Sequence, residues 1–204
     1  ILGPLEDLNS DKTLSEKHSA KISVIHKSAM RLLNLINQIL EFRKTETQNK
    51  KLSVRKDNLE KLIQEVGLKY KELNTKKEVS FDTIIEDVDY SIYYDPDIVG
   101  TILENLISNA LKYTERGNII LTLRTVDEQE TQYVEIEVKD TGRGIHPDSL
   151  SRIFDRYYQE KESFQKSGTG IGLALVQNLV TLHQGEIFVD STLNEGSVFR
   201  FRLK

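Results

Sequence analysis

Residues 102–114 read Ile-Leu-Glu-Asn-Leu-Ile-Ser-Asn-Ala-Leu-Lys-Tyr-Thr, and the reading of this stretch decides the fold. Ile102, Leu103, Leu106, Ile107, Ala110 and Leu111 recur at helical spacing, which predicts a helix packed along one side. Asn105, Asn109 and Lys112 form a second row at i, i+4 and i+7. Asparagine is a poor helix-interior residue, because its amide competes for backbone hydrogen bonds. Two of them one turn apart, followed by a cation, need a reason. A carboxamide oxygen can ligate a hard cation such as Mg2+, and a lysine can meet phosphate. A solvated helix face accounts for the same row, and the stripe alone does not separate the two readings.

Later segments add weight to the first. Asp140-Thr-Gly-Arg-Gly-Ile145 follows a strand pattern in which Val134, Ile136 and Val138 alternate with Glu135, Glu137 and Lys139. An aspartate at a strand end, with glycines at 142 and 144, is a fixed carboxylate beside open backbone. Such a carboxylate can accept a hydrogen bond from the exocyclic amine of adenine, although a tight turn would use the same residues. Gly168-Thr-Gly-Ile-Gly-Leu-Ala-Leu175 runs into the helical pattern Leu173, Leu175, Val176, Leu179, Val180. A glycine-rich turn at a helix N-terminus presents amides to phosphate. A dinucleotide fold needs a strand directly before such a turn, and Glu160–Ser167 is polar instead. Ile153-Phe-Asp-Arg-Tyr-Tyr158 lies between the two glycine motifs. The stretch from about Ile145 to Ser167 reads as a mobile cover, with Phe154 as an ordinary packing residue.

In this order, the four segments resemble the nucleotide-binding domain of sensor histidine kinases. The matching blocks are the N box (Glu104–Tyr113), the G1 box (Asp140–Gly144), the F box (Phe154) and the G2 box (Gly168–Gly172), and with flanking strands the likeness covers about residues 52–204. It implies an α+β fold, a two-layer α/β sandwich of mixed sheet and helices shared with gyrase-, Hsp90- and MutL-type ATPases. It also implies ATP and Mg2+ as cofactors and a protein-histidine kinase activity. By this resemblance Asn109 would ligate Mg2+, with Asn105 near the phosphates. Lys112 would contact phosphate, and Tyr113 would pack against base or ribose. Asp140 would bind the adenine amine, with Gly142 and Gly144 shaping the pocket. Gly168, Gly170 and Gly172 would flex a lid, and Ile145, Thr169, Ile171 and Leu173 complete the nucleotide positions.

Two positions refine the expectation. In the related hydrolytic ATPases the residue four before the metal-binding Asn is a glutamate that activates water; here it is Asn105, and a neutral amide is a poor general base. Glu104 is one residue off that register, about 100° round the helix, and is a candidate for orienting an imidazole. Many family members carry Arg directly after the F-box aromatic pair, where this chain has Gln159; Arg156, Lys161 or Lys166 would supply the missing charge.

Residues 1–48 are expected to be a partial dimerisation and phosphotransfer hairpin, and 49–204 the ATP-binding domain. Two helices are expected, with a polar break at about Asn9–Ser15. Ile22, Ile25, Ala29, Leu32, Ile36 and Ile39 follow a heptad seam, and Leu33 and Leu40 widen it as in a four-helix bundle. His18, His26, His146 and His183 lack the family's acceptor motif. The opening Ile-Leu-Gly-Pro-Leu-Glu-Asp-Leu resembles the segment just downstream of that motif in hybrid sensors. The acceptor His is thus expected upstream, and this stretch alone is not expected to autophosphorylate. The implied partners are a response-regulator receiver, possibly of the same parent chain, and a second copy in the parent homodimer. A net charge of −4 argues against direct nucleic acid binding or membrane contact. The chain has no cysteine, which excludes disulfides and thiolate metal sites. The need for ATP implies a cytoplasmic location, as the cytoplasmic portion of a membrane-anchored bacterial sensor.

The remaining elements are read from pattern. Leu52–Val54, Val79–Ile85 and Ser91–Tyr94 read as strands, and Leu59 to Leu73 as an amphipathic helix. Asp95-Pro96 reads as a helix start. Ile119–Leu123 with Val134–Val138, and Ile187–Val189 with Val198–Leu203, read as hairpins, the second turning at Leu193–Gly196.

Overall fold

A computed structural model describes residues 3, 8, 16–46, 51–86, 90–128, 131–159 and 169–203. Strand β5 (Thr131–Asp140) organises it, because the alternation seen in the sequence gives it two unlike faces. It is hydrogen-bonded on both sides, antiparallel to β4 (Gly117–Glu128) and to β7 (Gly196–Leu203). Edge strand β2 (Val79–Ile85) runs parallel to β4, and edge strand β6 (Glu186–Thr192) antiparallel to β7, so the five-strand order is β2-β4-β5-β7-β6. The register stacks Leu123, Ile136 and Phe201 in one row and Leu121, Val138 and Phe199 in the next. These side chains are buried beneath helices α2 (Leu59–Leu73), α3 (Pro96–Tyr113) and α5 (Gly172–Leu182). The third row is Ile119, Asp140 and Ser197. Asp140 therefore inherits the core-facing phase of β5 at the point where the core ends.

The other face of β5 is charged. Glu135 is buried there between Arg124 (2.6 Å) and Arg202 (2.7 Å). Burial pushes its carboxyl up, but the hydrogen bonds from Arg202 and Arg124 overcome that and hold it below the usual range.

A two-stranded antiparallel ribbon joins β1 (Arg55–Asn58) to β3 (Ser91–Tyr94). The first strand thus begins after the expected Leu52–Val54. The reason lies in the partner: β3 ends at Tyr94, and Asp95 leaves the ladder to cap α3. Asp95 Oδ1 accepts the Asp97 and Ile98 N–H groups while Oδ2 accepts the Ser53 N–H (2.7 Å), so the approach to β1 is tied to a cap. His183 ends α5, and its Nε2 accepts the Asp95 N–H (3.1 Å), a structural role.

Helix α1 (Glu16–Glu46) is continuous, and His18 and His26 lie in its first half. The expected break at Asn9–Ser15 and the boundary at 48/49 lie outside the described residues. One side of α1 packs on α5, with Ile39 and Phe42 joined to the core. The short helix α4 (Pro147–Leu150) starts at His146, whose Nδ1 accepts the Asp148 N–H. The segment expected as a cover is partly core: Ile153 is buried, and Phe154 and Tyr158 pack against the interior.

Candidate nucleotide site

A cavity of about 550 Å³ opens where α3, the β5–α4 loop and the turn before α5 meet. That volume suits a ligand of nucleotide size. Its lining includes Asn105, Asn109, Lys112, Tyr113, Asp140 and Gly144, and also Ile145, Thr169, Gly170, Gly172 and Leu173. Residues from three distant motifs thus face one space.

At one end, Asp140 is held from behind. Its Oδ1 accepts the Gly142 N–H at 2.8 Å. Burial raises its pKa above the usual carboxylate value, opposed first by the Gly142 N–H, with the polar groups of Ser197 and Thr114 also favouring the charged form. Gly144 stands at φ 67, and a Cβ there would collide with the Thr192 carbonyl oxygen, so the loop closes only with glycine. Gly142 does not line the cavity; it acts through Asp140.

On the α3 wall, Tyr113 receives the Lys112 ammonium at its hydroxyl (2.7 Å), with that cation 4.5 Å from the ring centre. The Arg143 guanidinium lies 4.8 Å from the same ring centre and also lines the cavity. Asn109 is half-buried at the wall, and its amide makes no hydrogen bond among the described residues. Its carbonyl oxygen is a suitable hard ligand. Among the described residues no group of three or more His, Cys, Asp or Glu could hold a metal. Any Mg2+ would therefore rest on phosphate oxygens, water and a carboxamide, a donor set that this ion accepts.

Asn105 is buried and already engaged. Its Nδ2 donates to the Thr101 carbonyl (2.8 Å), and its Oδ1 accepts from Gln38 Nε2 (3.4 Å). Gln38 Oε1 in turn accepts the Thr169 hydroxyl (3.0 Å), so one amide from α1 joins α3 to the glycine turn. A Cβ at Gly172 would come within 2.9 Å of Asn105 Oδ1; the absence of a side chain lets α5 begin against α3. The N-terminal amides of α5 then sit at the cavity wall, where a helix favours anions.

Several expected site residues lie away from this cavity or outside the described residues. Glu104 does not line the cavity; its carboxylate is exposed and paired with Lys69 of α2 at 2.5 Å. Arg156 also lies off the cavity, with its guanidinium 4.7 Å from the Phe42 ring of α1. Ile171 is buried in the core, its N–H bonded to Thr169 Oγ1. Gly168, Lys161 and Lys166 lie outside the described residues. Gln38 and Arg143 were not anticipated. For Arg143 the available signal was a cation between two glycines; for Gln38 there was none.

The family model for the histidine kinase-, DNA gyrase B- and HSP90-like ATPases matches residues 94–204, more than half of the chain. The chain belongs to this ATPase family. Every cavity wall except that of α1 falls within the matched residues. As a member of the family the chain carries an ATP-binding domain. "Histidine kinase P4" of Formosa agariphila is 33% identical over 210 residues, covering 100% of this chain and 15% of that protein. "Sensor histidine kinase RcsC" of Salmonella typhimurium is 33% identical over 206 residues, covering 100% of this chain and 21% of that protein. The chain therefore spans about a fifth or less of the length of these relatives. Full-length ShkA, solved in complex with AMPPNP, has a TM-score of 0.82 and 28% identity, covering 100% of this chain and 42% of that one. The α+β sandwich preceded by a helix is thus the histidine-kinase form of the family fold.

Proposed function

We propose that this chain is the catalytic core of a sensor histidine kinase, which passes the γ-phosphoryl group of ATP to an imidazole. A receiver aspartate then takes the phosphoryl group. The observation that carries the reading is Asn105. In a hydrolytic ATPase a base at this position would activate water, but here the amide is neutral and both its ends are bonded, to Thr101 and Gln38. Suppressing water attack suits transfer to a protein nucleophile, because a neutral imidazole needs no strong base.

Asp140 accepts the adenine amine, and Tyr113 packs on base or ribose. Lys112 and the α5 amides neutralise phosphate charge, which is most of what phosphoryl transfer asks of a protein. Mg2+, held by Asn109 together with phosphate oxygens, would add further positive charge at the β- and γ-phosphates. The uncovered apolar row of α1 meets a second copy in a parent dimer. No described helix is long and apolar enough to cross a membrane. A membrane anchor, if the parent has one, belongs to another part of it, with this portion in the cytoplasm.

The test is the parent protein with γ-labelled ATP and Mg2+. Acid-labile, base-stable label on the protein, lost in Asn109→Ala, is expected. Rapid phosphate release without phosphohistidine would overturn the kinase reading in favour of a hydrolytic ATPase.

A further inference from the structure

We infer that Gln38 is a positioning residue that keeps Asn105 from orienting water, and so favours transfer to a protein nucleophile over hydrolysis; this role rests on the kinase reading above. An amide need not act as a base to promote hydrolysis, because in some nucleotide hydrolases a glutamine amide suffices to orient the attacking water. The neutrality of Asn105 is therefore an incomplete safeguard, and its carbonyl oxygen is the atom that could hold such a water. Asn105 stands one helical turn before Asn109, lines the cavity and is 9% exposed. Its Oδ1 accepts from Gln38 Nε2 at 3.4 Å, and the start of α5 crowds the same oxygen at Gly172. Gln38 comes from α1 and lines the cavity as well.

The direction of this contact is fixed by the two ends of a hydrogen-bond chain. At one end the Ile171 N–H, which can only donate, bonds Thr169 Oγ1 at 3.2 Å. That hydroxyl donates to Gln38 Oε1, Gln38 Nε2 donates to Asn105 Oδ1, and Asn105 Nδ2 donates to the Thr101 carbonyl, which can only accept. Turning either amide over would set oxygen against oxygen, at Asn105 Oδ1 or at the Thr101 carbonyl. Gln38 therefore presents an N–H to Asn105 and occupies the oxygen that a water would need. In the side reaction so suppressed, a water oxygen bonds to the γ-phosphorus as the bond to the β,γ-bridging oxygen breaks. ADP leaves with that electron pair, one water proton stays on the phosphate product and the other passes to solvent.

The experiment measures phosphate release from Mg-ATP, protein-bound label and Mg-ATP affinity on this chain as wild type, Gln38→Met, Asn105→Ala and the double variant. Methionine keeps the length of the side chain and removes both hydrogen bonds. Gln38→Met is expected to raise phosphate release by about threefold or more, the factor by which a neutral hydrogen bond at the long end of the range holds its partner. Mg-ATP affinity should stay within about threefold of wild type. The gain should vanish in the double variant, because it passes through Asn105. A merely structural role would instead lower release and affinity together, and that result would overturn the inference. Equal release from wild type and Gln38→Met, both binding ATP, would remove Gln38 from the mechanism, as would a gain that survives in the double variant. Either result leaves the kinase reading to the phosphohistidine test on the parent protein, which does not depend on Gln38. Circular dichroism checks folding, and Gln38→Ala serves if the methionine variant does not fold. A folded wild type that binds no ATP would sink both.

Discussion

Helices α3 and α1 carry similar apolar rows and meet opposite fates. In α3, Ile102, Leu103, Leu106 and Ile107 are at most 1% exposed. In α1, Val24, Ile25 and Leu32 are 64%, 53% and 59% exposed. Periodicity reports which face of a helix is apolar and is silent about what covers it. The sheet and α5 cover α3 from within the chain. The described residues leave much of the row on α1 exposed, and a contiguous apolar face of that kind usually meets a partner.

The largest effect that could break this comparison is on folding. Leu103→Ala should cost about 2–5 kcal/mol in urea unfolding, the usual range for an emptied core site. Leu32→Ala should stay within about 0.5 kcal/mol at concentrations where the chain is monomeric. Equal losses would mean that α1 has a cover within the chain.

A smaller effect separates the nucleotide site from the core around it. Burial raises the folded pKa of Asp140, so the fold prefers the protonated form. The stability tied to that preference is complete below the unfolded value of 3.8 and is lost as pH rises through the folded value. Asp140→Asn mimics the protonated carboxyl. It should therefore gain stability at pH 7, a gain that vanishes on acidification, while ATP binding falls by about tenfold or more. Thermal melts at pH 7 and pH 4 read the first part. A variant that loses stability at pH 7 would show that the ionised carboxylate supports the fold.

The smallest effect lies at the seam between the two regions. Gln38→Ala removes the bridge from Asn105 to Thr169 and should cost about 0.5–1.5 kcal/mol. Hydrogen exchange should speed up in the C-terminal turns of α1 and leave the middle of α3 unchanged. Faster exchange in α3 would show that the bridge supports the sandwich itself.

What the sequence made legible was local. The Asp95-Pro96 cap, the strands Val79–Ile85 and Ser91–Tyr94, and the turn at Leu193–Gly196 all arise from residues within a few positions of one another. What it hid was long-range. Leu52–Val54 has strand composition, but Asp95 draws its partner out of the ladder. Gln38 and Asn105 are 67 residues apart, and no periodicity links a polar residue on one helix to an amide on another. Ile153 reads as cover because its neighbours are charged, yet the chain turns it inward. The site motifs were visible because each is compact, while the Arg143–Tyr113 contact that joins two of them is not.

The His183–Asp95 bond has a mechanical consequence. It sits where α5 ends and α3 begins, while Gly172 meets Asn105 at the opposite end of α5. The two helices lie antiparallel, pinned at the His183 end and packed together along α5, whose Leu175, Val176 and Leu179 are buried. The arm from pin to glycine turn is about 15 Å long, ten residues at 1.5 Å each. A pivot of about 5° about the pin would move the turn by roughly 1 Å, enough to make or lose a contact with phosphate. Replacing the imidazole should therefore alter how the two helices are spaced at the glycine turn before it alters which groups meet the nucleotide.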